Sequence, residues 1–203
     1  LRWCSCKMRQ INYYTICEDI AHSTFIEEYL EILRAKNSNT AFTKNEFVAK
    51  RYDFSSKAKV LNFYAEASGR FIKEYSLDLL FIIADYDDWD IAYFNDYYNK
   101  LFDQLSAECK EKTVILLPVR AIEFWFWHLK WKHENPGHTR NVSIDNKKRG
   151  EIKKQVYGTK KPYKDLSKAK VKEIMQFFDS AWLCSRSPSF NHFHIRFSKV
   201  LNP

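Results

Sequence analysis

The chain has 203 residues, 45% of them hydrophobic and 29% charged, a composition that excludes a disordered or collagen-like protein. It holds only 4 glycines and 5 prolines, too few for the turns of a many-stranded sandwich or barrel. Its 33 basic and 25 acidic side chains give a net charge of +8. No apolar run is long enough for a membrane span, and residues 1–10 lack the apolar run of a secretory signal. The odd number of cysteines, 5, suits a reducing compartment, so we expect a cytoplasmic protein.

The first elements of the chain alternate between strand and helix. Residues 11–17 are rich in β-branched and aromatic side chains, which predicts a buried strand. Apolar residues then recur at helical spacing over residues 25–33. A second short strand is predicted at residues 46–52, followed by a helix over residues 57–73.

The same alternation continues toward the middle of the chain. Residues 77–84 are nearly all apolar, which is typical of a central parallel strand covered on both faces. The acidic cluster 85–90 follows, then a predicted helix over residues 91–105 and a second apolar strand at residues 113–117. Strands that alternate with helices in this way predict an α/β protein with a mostly parallel sheet and right-handed crossovers.

The last part of the chain is predicted to be helical. Helical spacing of apolar residues indicates helices at 121–131, 147–157 and 165–178, with one or two shorter ones between residues 179 and 200. We therefore expect residues 118–203 to form a helical extension that packs on the α/β core of residues 1–117.

Charge is divided unevenly between the two parts of the chain. Residues 1–127 hold 16 basic and 19 acidic side chains, whereas residues 128–203 hold 17 and 6, so the two parts carry net charges of −3 and +11. So basic a block suits a polyanion such as nucleic acid, whose released counterions supply affinity, although a solvated surface is the alternative. Trp125, Trp127 and Trp131 either stack unpaired bases or belong to the core. The candidate nucleic-acid-binding residues of this block are Lys147, Lys148, Arg149, Lys160 and Lys161.

Acidic residues follow the two segments most easily predicted as buried strands. Glu18 comes after the first strand, and Asp85 and Asp87 come after the central one. In an open parallel sheet such strand ends meet at one edge, where carboxylates repel one another unless a cation neutralises them. Carboxylate oxygens suit Mg²⁺ or Mn²⁺, so the sequence predicts a metal site at this edge. The alternatives are a helix-start acid at Glu18 and a simple acidic loop at Asp85 and Asp87.

Four short segments, taken in order, resemble a known family. Glu18 after the first strand and the Asp85-Tyr86-Asp87 segment after a later hydrophobic strand resemble the Toprim fold of metal-dependent topoisomerases, primases and OLD-type nucleases. Residues 119–125 and 186–190 are similar to the Val-Arg-Glu-Ile-Glu-Ala-Trp and Ser-Pro-Ser-Phe segments of small bacterial Toprim-like proteins.

The resemblance spans residues 11–197 and has two departures from the family pattern. Ala121 replaces an expected acid, and residues 126–128, Phe-Trp-His, replace a usual Leu-Ala-Asp. The implied fold is a Toprim-like, Rossmann-like sheet with flanking helices, which makes residues 1–117 a catalytic core and residues 118–203 its basic helical extension.

The activity implied by the resemblance is that of a nuclease that uses a divalent metal to hydrolyse phosphodiester bonds of RNA or DNA, as a bacterial antiphage or toxin effector. Glu18, Asp85 and Asp87 would hold Mg²⁺ or Mn²⁺, which polarises the scissile phosphate and lowers the pKa of a water nucleophile. Asp88 or Asp90 would serve a second ion, which stabilises the leaving oxygen.

Further candidates surround this implied site. Glu123, in the first turn of its helix, is either a catalytic residue or an acid that compensates the helix dipole. Lys161 would stabilise transition-state charge or contact backbone phosphates, and Arg120 would clamp a phosphate. Arg186 would belong to an anion site at a helix start or to a plain Ser-Pro helix start. His22 is expected to be structural.

Partners and alternatives stay open at this point. No Gly-rich phosphate loop is present, and related Toprim nucleases often work beside an ATPase, so the resemblance implies a regulatory ATPase partner. The substrate is DNA, RNA or a tRNA. The sequence does not decide whether the chain forms a homo-oligomer, and no membrane partner is expected. The alternatives to an enzyme are a catalytically inactive Toprim-like module that binds nucleic acid or a partner, and an unrelated α/β domain.

Overall fold

In the computed structural model, residues 8–37, 39–47, 54–88, 91–137 and 147–202 are described, and they form a parallel sheet between two layers of helices. The strands of these residues are β1 (Arg9–Cys17), β2 (Thr40–Lys44), β3 (Leu79–Ile83) and β4 (Thr113–Leu116). Every described strand pair is parallel, and the order across the sheet is β2-β1-β3-β4. The predicted α/β class with a parallel sheet is confirmed.

Alternate residues of the strands enter two hydrophobic cores, one on each face of the sheet. Tyr13 and Phe81 belong to the first core, whereas Ile16 and Ile82 belong to the second. This follows from the two-residue side-chain period of a strand. β3 is buried at every position, as expected of a central strand covered on both faces.

Each face of the sheet is covered by its own set of helices. The second core includes residues of α2 (Lys57–Glu74), α3 (Phe94–Asp103) and α4 (Ala107–Lys112), with a short 3-10 turn at Ile91–Tyr93 before α3. The first core includes residues of α1 (Ile20–Lys36), α5 (Glu123–Glu134), α6 (Arg149–Tyr157), α7 (Lys164–Met175), α8 (Ser180–Arg186) and α9 (Pro188–Leu201). None of the described helices is both long and apolar enough to cross a membrane.

The predicted strand at residues 46–52 is wrong in the part that the structure describes. Glu46 and Phe47 lie in a turn, residues 48–52 lie outside the described residues, and the strand is β2, a few residues earlier. β2 is an edge strand with only half-buried and exposed residues, so its sequence lacks the apolar run that marks an interior strand. The short helix α4 was also not predicted from the sequence.

Aromatic rings join the C-terminal helices to the rest of the molecule. Phe25 of α1 is fully buried, and its ring contacts Tyr29, Trp125, Phe190 and Phe193. The helices after β4 therefore share one core with α1 and the sheet. The proposed division of the chain at residue 117 remains a prediction.

The Ser-Pro-Ser-Phe segment starts α9. The Ser187 hydroxyl accepts a hydrogen bond from the Phe190 amide at 3.2 Å, and Pro188 occupies the first helical position, where no donor is lost. We expect Ser187→Ala to lower the unfolding free energy by about 1 kcal/mol, the usual cost of a lost N-cap. Thermal unfolding, followed by circular dichroism, measures this loss as a decrease of roughly 2–4 °C. The control is Ser185→Ala at an exposed position of α8, and equal melting temperatures for the two variants would contradict the capping role.

Candidate metal centre

Glu18 and Asp85 lie at the point where the strand order reverses. From β1 the chain continues to β2 on one side and then crosses to β3 on the other, so β1 and β3 flank this switch point. Glu18 directly follows β1, and Asp85 follows β3 after a single residue. Ligands of open α/β sheets bind in the crevice outside the carboxyl ends of such strands. The edge of the sheet predicted to be functional is therefore the edge that holds both acids.

Three side chains converge at this edge within metal-binding reach. Glu18, His22 and Asp85 each offer one ligand atom, and the three atoms lie within 4.8 Å of one another. His22 and Asp85 are buried, with 0% and 2% of their surface exposed, and Glu18 is half-buried. Asp19 accepts a hydrogen bond from the Ala21 amide at 2.6 Å and thereby starts α1, which places His22 in the first turn of that helix.

His22 is the member of this group that sequence reasoning assigned to structure alone. Its Nε2 lies 3.0 Å from Asp85 Oδ1. A signal was available, because His22 is four residues after Glu18, and residues four apart at a helix start lie on one side. Asp85, the partner of His22, is 63 residues away in the sequence, so no local pattern indicates the contact between them.

Burial and mutual attraction act in opposite directions on the His22–Asp85 pair. Burial by itself would lower the pKa of His22, but the charge and hydrogen bond of Asp85 outweigh it and raise that pKa to about 9. Burial works to raise the pKa of Asp85, yet the charge and hydrogen bond of His22, helped by Arg149 and the Ile122 amide, hold that pKa below its usual value. Both side chains are therefore charged at neutral pH in the metal-free protein, and His22 would have to release its proton to bind a metal ion.

Asp87 faces the same side as Asp85 but binds protein cations. A bridge between Tyr86 and Val119 keeps this segment extended, and residues two apart in an extended segment share a side. The Arg149 guanidinium donates to Asp85 Oδ2 at 2.5 Å and to Asp87 Oδ1 at 3.0 Å.

Protein side chains thus supply the neutralisation for which the sequence analysis invoked a metal ion. Lys57 adds a further bond to Asp87 Oδ2 at 2.8 Å. Asp87 and Asp88 are exposed and lie outside the converging group, so the structure brings together Glu18 and Asp85 of the predicted ligands. The metal roles of Asp87 and Asp88 remain predictions, and Asp90 lies outside the described residues.

Glu123 is buried beside α6 rather than in the converging group. Its Oε1 lies 3.2 Å from Lys153 Nζ and accepts a weak hydrogen bond from the Tyr157 hydroxyl at 3.5 Å, while Oε2 has no hydrogen-bond partner among the described residues. Burial, and after it the charge of Asp85, raises the pKa of Glu123, and Lys153 offsets this only in part. Its predicted catalytic role stays a prediction.

The ionised form of Glu123 should lower the free energy of unfolding at neutral pH. A carboxyl whose pKa is raised by folding stabilises the folded state below its unfolded pKa, 4.5, and that stabilisation is lost as pH rises. We expect Glu123→Gln to increase the unfolding free energy at pH 7 by about 1 kcal/mol, a typical size for a point substitution, and the gain to vanish near pH 4. Denaturant titrations at both pH values measure it, with Glu134→Gln, an exposed site on the same helix, as control. A less stable Glu123→Gln protein at pH 7 would contradict this account.

The predicted arginine sites are occupied by intramolecular contacts. Arg120 has a backbone φ of 65°, in the left-handed region, and its guanidinium lies 5.2 Å from the ring centre of Phe124 while donating to the Lys147 carbonyl at 3.1 Å. Arg186 lies 4.1 Å from the ring centre of Trp182. Their phosphate-binding roles remain predictions.

The predicted lysine sites form an exposed surface next to the acids. Lys147, Lys148, Lys160 and Lys161 are exposed, and no ion pair involves them within the described part of the chain. The aliphatic chain of Lys160 covers Gly150, the residue after Arg149, so this surface reaches the bridged aspartates. Lys161 has no described contact with the acids, and its catalytic role stays a prediction.

The three tryptophans have different environments. Trp125 is buried in the core, and Trp131 stacks on Trp182 with ring centres 6.3 Å apart. Trp127 is half-buried and borders a cavity of about 410 Å³ together with Lys147, Lys154 and Lys160, among other residues. Of the three, Trp127 is the one placed beside the lysine surface.

A second cavity, of about 380 Å³, opens beside the converging group. Its lining includes Glu18, Cys17 and Ser23, together with Lys44 and Lys164. This cavity gives a small ion access to Glu18. Asp19 and Glu46 also line it, and Lys44 donates to Glu27 at 2.7 Å, so acids outnumber lysines in its lining.

The donor set of the converging group fits a divalent ion. It consists of two carboxylates and one imidazole, which suits Mn²⁺ better than Mg²⁺, because Mg²⁺ prefers oxygen ligands and retains its water. Comparisons of the chain with protein-family models, with curated proteins and with solved structures found no match.

Proposed function

We propose that this chain is a phosphodiesterase that uses a divalent metal ion to cleave nucleic acid, and that Glu18, His22 and Asp85 hold the ion. The observation that supports this most is their convergence within 4.8 Å at the switch point of the sheet. When bound, Mn²⁺ or Mg²⁺ would polarise the scissile phosphate and lower the pKa of a water nucleophile.

The surrounding residues would prepare the site for a phosphate. The Ile122 amide donates to Asp85 Oδ1 at 3.1 Å and, with His22, orients that carboxylate. Lys164 borders the cavity beside Glu18, where it would offset part of the negative charge of an entering phosphate. These contacts position the ligands before substrate arrives, which is a common source of rate enhancement.

The lysine surface supports a polyanionic substrate. Lys147 and Lys148 are exposed and directly precede Arg149, which bridges the aspartates. Lys160, also exposed, lies against Gly150, the residue after Arg149. Lysines contact phosphates and carry no base information, so RNA, DNA and tRNA all remain candidate substrates. The Toprim assignment, the bacterial defence role, the cytoplasmic location and the regulatory ATPase partner are parts of this proposal that rest on the resemblance.

A catalytically inactive binding module is the second candidate. The observation that favours it is the neutralisation of Asp85 and Asp87 by His22, Arg149 and Lys57, because these acids then need no metal ion for stability. Such a module would bind nucleic acid or a partner protein through the lysine surface without cleaving it.

A cleavage assay separates the two candidates. The full chain is incubated with labelled single-stranded DNA, duplex DNA, single-stranded RNA and tRNA, with Mn²⁺, Mg²⁺ or EDTA. We expect cleavage of at least one substrate with Mn²⁺ and none with EDTA. Binding without cleavage in every metal would support the inactive module and overturn the enzyme. Adding the product of the adjacent gene tests the proposed regulatory partner.

Binding itself is tested by removing charge from the lysine surface. We expect the triple substitution Lys147→Ala, Lys160→Ala and Lys161→Ala to weaken nucleic-acid binding and to reduce the slope of log K against log salt by about 2 for a single strand. The control removes three exposed lysines elsewhere, Lys73, Lys100 and Lys199. Equal slopes in the two triple variants would exclude this surface as the binding face.

A further inference from the structure

One face of α6 is directed at the acids of the sheet edge. Arg149, Lys153 and Tyr157 follow one another at intervals of four residues, so they lie on one side of the helix. Arg149 bridges the two aspartates, and the next two residues of the stripe bind Glu123. The helix is thus attached to the acidic cluster through two cations and a hydroxyl.

The position of Arg149 is well defined by its surroundings. It is the first residue of α6, whose N-terminal turn is closed by a bond from the Lys148 amide to Glu151, and Lys160 covers the neighbouring Gly150. Its guanidinium can donate to two acceptors at once, which suits a bridge between two carboxylates. The side chain is still 43% exposed, so solvent and a phosphate can reach it.

The carboxylate oxygens of Asp85 and Asp87 already accept hydrogen bonds, which leaves them little capacity to bind a second metal ion. Asp85 Oδ1 accepts from His22 and from the Ile122 amide, and Asp85 Oδ2 accepts from Arg149. Asp87 uses one oxygen for Arg149 and the other for Lys57. A divalent ion bound between these aspartates would have to displace the guanidinium. The ion at Glu18, His22 and Asp85 would not, because His22 Nδ1 has no hydrogen-bond partner among the described residues and can bind it once deprotonated.

We infer that the centre takes one divalent ion, at Glu18, His22 and Asp85, and that Arg149 holds the position that a second ion would otherwise take between Asp85 and Asp87. This inference rests on the proposed function and makes Arg149 a positioning residue. It aligns the two aspartates and supplies a fixed positive charge beside the site, so the reaction needs one ion and the second cation is part of the protein.

The stoichiometry of Mn²⁺ binding tests the inference without reference to activity. Isothermal titration calorimetry and the electron paramagnetic resonance of free Mn²⁺ count the ions bound by the wild-type protein, by Arg149→Met and by Arg70→Met, which removes an exposed arginine of α2. We expect one ion per chain for the wild type and for the control, and two for Arg149→Met. The double variant Arg149→Met, Asp87→Asn should return to one ion.

The possible outcomes separate this inference from the proposed function. Two ions in the wild type, or one ion in both the wild type and a folded Arg149→Met protein, would overturn the role of Arg149 while leaving a metal-dependent enzyme intact. No ion in any variant would overturn the proposed function itself. If Arg149→Met does not fold, Arg149→Gln also removes the charge but keeps a polar side chain at this partly exposed position, and a second ion in that protein supports the inference whereas a single ion contradicts it.

Discussion

Asp85→Asn should be among the most destabilising single substitutions in this protein, with an expected loss of about 3–5 kcal/mol of unfolding free energy. The substitution removes the negative charge that His22 and Arg149 share. It leaves the buried His22 without a counter-charge and Arg149 with Asp87 alone. Chemical denaturation at pH 7 in the presence of EDTA measures the loss in the metal-free protein. The matched control is Asp103→Asn, which breaks an ion pair whose carboxylate is 72% exposed and should change stability by less than about 1 kcal/mol.

The pH dependence of this loss is a second readout. The raised pKa of His22 contributes stability that is fully present below its unfolded value, 6.5, and is lost as pH rises through about 9. The lowered pKa of Asp85 contributes stability that is present above its unfolded value, 3.8, and is lost as pH falls below it. The difference between wild type and Asp85→Asn should therefore be largest near neutral pH and shrink toward both ends. A constant difference from pH 3 to pH 10 would contradict the ion pair.

Glu18→Gln should abolish metal-dependent activity with little change in stability. Removing even an outer partner of a metal ligand costs roughly 10–100-fold in affinity, so loss of a charged ligand should weaken Mn²⁺ binding by about 100-fold or more. Glu18 is half-buried, and no hydrogen bond or ion pair to its carboxylate is found among the described residues, so the fold should tolerate the amide. Calorimetric titration with Mn²⁺ and the cleavage assay measure both effects.

The control for Glu18→Gln is Glu66→Gln, an exposed position on α2. We expect the control to keep wild-type Mn²⁺ affinity and cleavage. A Glu18→Gln protein that binds Mn²⁺ as tightly as the control would show that Glu18 is not a ligand. Lost cleavage with unchanged Mn²⁺ binding would contradict this account as well, because the expected cause of inactivity is the lost ion.

The two acids at the switch point could be predicted because strong local signals precede them. β1 and β3 are apolar enough to be recognised as buried strands, and the carboxyl ends of parallel strands meet at one edge. The sequence therefore predicts that Glu18 and Asp85 lie at the same edge of the sheet. β2 was misplaced because an edge strand is only partly buried, and its side chains lack the same apolar signal.

The contacts that complete the site could not be predicted, because they join distant parts of the chain. Arg149 is 64 residues from Asp85, and His22 is 63 residues from the same carboxylate. No local pattern reports such pairings, which depend on how α6 packs against the sheet edge. The basic character of residues 128–203 indicated a polyanion, but Arg149 and Lys153 use part of that charge to neutralise acids of the first half.

The central claim is that Glu18, His22 and Asp85 form a metal site, and a crystal of the full chain grown with Mn²⁺ tests it most directly. Anomalous scattering locates Mn²⁺ independently of any assumption about its ligands. The account predicts an anomalous peak between the two carboxylates and His22, with the Arg149 guanidinium still bridging Asp85 and Asp87. A saturated crystal with no peak at that position, or with its peak elsewhere on the protein, would contradict it.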